Sequence, residues 1–149
     1  VSQSFSDAME KYKILFFFTP LIAAMAGNVG VQSSAIIVQG LANNSLTGSL
    51  WKRLMNEMLL SLFNSTILAV ILLFGTHFLM NTSYELSFTI GTALVIVMII
   101  ASLIGTFIPI LLDKYGIDPA LATGPFITTS NDIFGIFIYF TIARIILGF

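Results

Sequence analysis

The chain has 149 residues, of which 57% are hydrophobic and 9% charged, with a formal net charge of −1 and a mean hydropathy of +1.00. A soluble domain carries about 25% charged residues, so this composition excludes an ordinary soluble fold, and near-neutral charge excludes an electrostatic surface for nucleic acid. The absence of cysteine excludes disulfides, thiolate catalysis and zinc–thiolate centres.

Residues 1–11 are polar and read as a loop or the edge of an interfacial helix, with Ser6-Asp7-Ala8-Met9-Glu10 offering N-cap chemistry. The first predicted span, 12–42, is apolar up to Met25 and then meets Ala26-Gly27-Asn28-Val29-Gly30-Val31-Gln32-Ser33-Ser34, so a broken helix is expected, with a kink at Pro20. Its first half, 14–26, runs on without a small-residue cleavage site and is not read as a signal peptide. A turn-rich loop over 43–49 leads to Trp51, Lys52 and Arg53, an interfacial pairing of aromatic and basic residues.

The second span, 54–80, and the third, 86–112, are almost wholly apolar, and each is long enough for the ~20 residues that a bilayer core requires. The fourth, 119–148, opens on Asp118-Pro119, read as an N-cap followed by an N1 proline. It is interrupted at Ala122-Thr123-Gly124-Pro125 and then carries Thr128, Thr129, Ser130, Asn131 and Asp132 in one run. The predicted fold is therefore all-α, a single transmembrane domain over 1–149 with about four spanning helices. Lys52, Arg53 and Lys114 lie on one side and no basic residue lies in loop 81–85, which places loops 43–57 and 113–118 in the cytoplasm. Lys11, Lys13 and Arg144 count against that orientation.

Asp132 is the central residue. A carboxylate at that depth costs at least ~2.5–3.5 kcal/mol on insertion scales, and such residues normally face a bundle interior or a watery cavity. Arg144 is on the order of 18 Å away along a helix, so no basic residue is placed to neutralise Asp132, which suits a cation. The alternative is a protonated Asp bonded to a neighbouring helix. Thr128 shares the Asp132 face, Thr129 is nearly aligned with it, and Gly124 lies one step further along. If the helix continues through Pro125, the Leu121 carbonyl is freed. Carboxylate, hydroxyl, amide and carbonyl oxygens together suit magnesium or calcium and not copper or zinc, although the hydroxyls could equally bond carbonyls of their own helix.

In the first span Gly27, Asn28, Gly30 and Gln32 are candidate pore-lining residues, the alternative being helix packing through small residues. His77 and Glu57 are read as interfacial, Glu57 stabilising a helix N-terminus. No Ser/His/Asp arrangement, HExxH, P-loop or GxGxxG is present, so an enzyme is not expected.

Two blocks, GNVGVQSSAIIVQGLA at 27–42 and GIDPALATGPFITTSNDIFGIFIYFTIARIILG at 116–148, resemble the MgtE family of magnesium channels, and the stretch from Trp51 to Glu57 is similar too. The resemblance implies a homodimer with its pore on the two-fold axis, lined by the first and last helices of this chain, and Mg2+ as the bound and transported ion, with other divalent cations open. It implies a metal site of Asp132 with backbone carbonyls one and two turns earlier, at Thr128 and Gly124. It also implies a multi-pass protein of the bacterial inner membrane, a further helix ahead of Val1, and regulatory cytoplasmic domains outside this chain. Val31 and Gly124 stand where the family commonly has Asn, which removes amides near the pore. Two Asp132 carboxylates on the axis would repel unless a cation lay between them. The rival readings are a proton- or sodium-coupled carrier using Asp132, and a structural membrane subunit that transports nothing.

Overall fold

The computed structural model describes residues 2–46 and 48–148, with side chains described from Lys13 onward. Four long helices make up almost all of it: α1 (Ser2–Ala42), α2 (Leu50–Phe74), α3 (Tyr84–Lys114) and α4 (Pro125–Leu147). Each is long and apolar enough to cross a membrane, and no strand occurs among the described residues. A five-residue π turn, Gly75–Leu79, extends α2, and a single 3₁₀ turn, Pro119–Ala122, precedes α4.

The break expected in the first span is absent, because α1 runs without interruption from Ser2 to Ala42. In hydrocarbon every backbone polar group must be satisfied inside its own segment, so the Gly27–Ser34 stretch keeps its helical bonds and uses its small residues for packing. Of the two readings of residues 1–11, loop or edge of a helix, the helix holds from Ser2 onward. Ser6 falls inside α1, and the side chains of its expected cap lie outside the described residues. Pro20 is accommodated on an exposed face. One residue before the Phe16 carbonyl that Pro20 deprives of its usual donor, the buried Tyr139 hydroxyl donates to the Leu15 carbonyl at 3.0 Å.

The helix starts follow local chemistry. Ser49 caps α2 by accepting from the Lys52 N–H, and Ser83 caps α3 by accepting from the Leu86 N–H. Each satisfies a donor that the first turn leaves without an intrahelical partner.

The four helices are not equivalent. α3 is the axis of the bundle and packs against α1, α2 and α4. Its buried Ile90, Ala93, Leu94, Val97 and Met98 form the core with Leu15, Ile22 and Ala26 of α1 and Tyr139 and Ala143 of α4. Glycines bring the backbones close: Gly91 of α3 lies against Ala69 of α2, and Gly105 of α3 against the main chain of Gly30 in α1. Close approach through small residues is how helices associate where lipid offers no hydrophobic drive. α2 is peripheral, and within Leu50–Phe74 only Ser61 and Ser65 are buried.

Candidate cation site

The site is built at the start of α4, where the interruption expected from the sequence is present. Asp118 caps the 3₁₀ turn, its Oδ1 accepting from the Ala120 N–H at 2.9 Å, with Pro119 as the first residue. The turn is pinned to α1 by a hydrogen bond from the buried Ser34 hydroxyl to the Ala122 carbonyl. The chain then reverses at Gly124, whose φ of +58° and ψ of −129° place it in a region that side chains rarely tolerate. α4 begins at Pro125, where the missing N–H costs nothing in a first helical turn. Because the helix does not run back through Pro125, the Leu121 carbonyl is not left open in the way a continuous helix would leave it.

One turn into α4 the Thr128 N–H and hydroxyl both donate to the Gly124 carbonyl, at 3.0 and 3.1 Å. One turn further stands Asp132, half-buried on the α1 side of the helix. A methyl group placed on Gly27 of α1 would lie 3.1 Å from Asp132 Oδ1 and 3.2 Å from Thr128 Cγ2. The missing side chain at Gly27 is therefore what leaves the Asp132 carboxylate room beside α1. Among the described residues no hydrogen-bond donor or basic side chain partners that carboxylate, and no cluster of three or more acidic or imidazole ligands exists. One chain thus presents a single carboxylate here, with hydroxyl and carbonyl oxygens in the two turns before it.

The structure gathers Gly27, Thr128 and Asp132, with Gly124 at the foot of the same face. Thr129 is exposed beside them on α4, and Asn28 is exposed next to Gly27 on α1. Gly30 faces elsewhere: a Cβ there would fall 1.7 Å from Asn131 Nδ2, so Gly30 houses the Asn131 side chain. Gln32 lines a different cavity, between α1 and α2, whose lining does not include Asp132. Asn131, expected among the oxygens around Asp132, is instead buried at 1% exposure with both side-chain polar atoms unpaired, between α4 and α1. Its position one residue before Asp132 hides this in the sequence, since neighbours along a helix point about 100° apart.

Glu57 also departs from expectation. It is half-buried in the second turn of α2 and accepts a hydrogen bond from Ser33 of α1, a pairing across the bundle that helix-end chemistry gives no reason to expect. His77 Nδ1 lies 2.8 Å from the Thr82 carbonyl and its ring stacks on Tyr84, with centroids 3.6 Å apart, as suits a residue at a helix end.

Residues 19–142 match the MgtE family, described as a divalent cation transporter. The chain belongs to the MgtE family. It is 36% identical over 140 residues to the "Magnesium transporter MgtE" of Bacillus subtilis, covering 93% of this chain and 31% of that protein. The protein of the same name from Enterococcus faecalis is 36% identical over 149 residues, covering 98% of this chain and 32% of its own. That of Thermus thermophilus is 31% identical over 148 residues, covering 99% and 32%. This MgtE chain thus spans about a third of the length of the curated relatives it matches. Membership of a multi-pass transporter family agrees with the four apolar helices, and relatives from bacteria agree with a bacterial inner membrane.

Proposed function

We propose that this chain supplies the membrane pathway of a magnesium transporter that works as a channel, with Asp132 as the central cation ligand. The observation that carries this reading is the Asp132 carboxylate, seated between α4 and Gly27 without a protein partner among the described residues. The names of the relatives supply the ion. Magnesium demands octahedral oxygen coordination and sheds water reluctantly, so a site with one carboxylate per chain holds it largely hydrated. A second copy completes the site. Packed about a two-fold axis on the side of α4 and α1 where Thr129 and Asn28 are exposed, a symmetric partner brings a second Asp132 to the site. Rotation of the Thr128 hydroxyl away from Gly124 opens that carbonyl to the water shell of the ion. Weak, water-mediated contacts let the ion leave again.

The test is flux into liposomes holding the full-length protein. Magnesium entry is expected to follow the magnesium gradient and to persist when proton and sodium gradients are collapsed. Entry that stops with either gradient would support a coupled carrier, and absence of any divalent flux would support a structural subunit.

Gly27→Ala tests the geometry. Its methyl group must push Asp132 or Thr128 by a few tenths of an ångström. An off-rotamer side chain costs about 0.5–1.5 kcal/mol, so magnesium flux should fall about two- to tenfold with the thermal midpoint little changed. Wild-type flux in this variant would separate Asp132 from the pathway.

A further inference from the structure

A second polar cavity lies on the opposite side of α1, between α1 and α2, with a volume of about 200 Å³. Gln32 and Ser33 of α1 and Glu57, Ser61 and Asn64 of α2 contribute to its walls. Glu57 is half-buried in α2, one turn beyond Arg53 and facing α1. An ionised carboxylate offers about four acceptor positions, and the Ser33 hydroxyl takes one. Among the described residues the cavity lining contains no basic side chain. What it does contain is the amide carbonyls of Gln32 and Asn64 and the hydroxyls of Ser33 and Ser61, the hard oxygens that suit a group-two cation. A volume of about 200 Å³ leaves room for water around an ion.

We propose that this cavity is a second divalent-cation site, taking a hydrated ion on Glu57 with Gln32 and Asn64 contacting its water shell, and separated from Asp132 by α1. Ser33 lies six residues beyond Gly27, about 9 Å further along α1 and on another face, so the two sites flank one helix without sharing a ligand. A single carboxylate against a double charge makes the site weak, fit for transient occupancy. The choice of ion class rests on the transport reading above, whereas the site itself stands on the cavity and its donors.

The test uses purified full-length protein in nanodiscs with Mn2+ alone as the probe, counting bound ions by electron paramagnetic resonance. Glu57→Gln is expected to lose about one Mn2+ per chain relative to wild type while Asp132→Asn loses its own. Asn64→Leu, which leaves the Ser33–Glu57 bond in place, is expected to weaken the same class of ion about tenfold, as removal of an outer-shell contact does. Wild-type Mn2+ binding in a folded Glu57→Gln protein overturns the proposal and means that the cavity holds water only, whatever Asp132→Asn does. Should Glu57→Gln not fold, unchanged Mn2+ affinity in Asn64→Leu overturns it instead.

Discussion

Asp132→Asn is expected to abolish magnesium flux and, in the same protein, to raise rather than lower thermal stability. The two effects share one cause. The carboxylate is half-buried between α4 and Gly27, and among the described residues nothing donates to it. Partial burial of a charge without a donor is therefore unfavourable in the empty protein, and the isosteric amide removes that cost. Under the proposed function the same charge is the main attraction for the cation. Two unit charges 4 Å apart gain ~4 kcal/mol at an effective dielectric of 20, and losing a contact of that size lowers ion occupancy about a thousandfold. Flux in proteoliposomes and a melting curve in detergent, taken on the same preparation, check both halves. Asn that melts earlier than wild type would mean that Asp132 has a structural partner, and undiminished flux would remove it from the permeation path. Functional sites commonly hold stability below its optimum in this way.

Gly105→Ala is expected to disrupt the bundle itself. A methyl group there would sit 2.3 Å from the Gly30 carbonyl oxygen and 3.0 Å from its carbon. Both are main-chain atoms of a helix and cannot swing aside, so α1 has to move away from α3. Moving it also disturbs Gly30, which already houses Asn131. Overpacking of a well-filled core costs typically about 1–3 kcal/mol and occasionally more, and the upper end is expected because backbone must yield. Gly91→Ala is the matched control on the same helix, since its added methyl meets the nearest atom, the Ala69 carbonyl oxygen, at 3.4 Å. Thermal melts should show a large drop for Gly105→Ala and little change for Gly91→Ala. Equal melting of the two would mean that α1 and α3 can separate at no cost.

The all-helical fold is legible in four long apolar runs, because spacing of charge along a chain is enough to mark segments that must satisfy their own backbone. The break before α4 is legible too, since Gly124 followed by Pro125 leaves few backbone choices. The continuity of α1 is not. Gly27, Asn28 and Gly30 look like helix breakers by composition, and only contact with α4 and α3 shows the two glycines to be spaces cut for Asp132, Asn131 and the approach of Gly105. Glu57 escapes a local reading for the same reason: its partner, Ser33, is 24 residues away in sequence, and no local pattern encodes a pairing between helices. Asp132 stands out because an unpaired acid in an apolar run is rare whatever surrounds it.

The peripheral position of α2 bears on how the protein is made. A membrane bundle assembles from helices already inserted, and the order of docking follows the contacts available. α1, α3 and α4 share one buried core closed by the Tyr139 bond to Leu15, and so can dock as a trio. α2 leans on that trio along one side of α3, where Leu68 and Leu72 pack half-buried against the core, and through the Glu57–Ser33 contact, while its fully buried residues are Ser61 and Ser65. With the smallest buried share of the four spans, it is expected to be the first helix to loosen under stress.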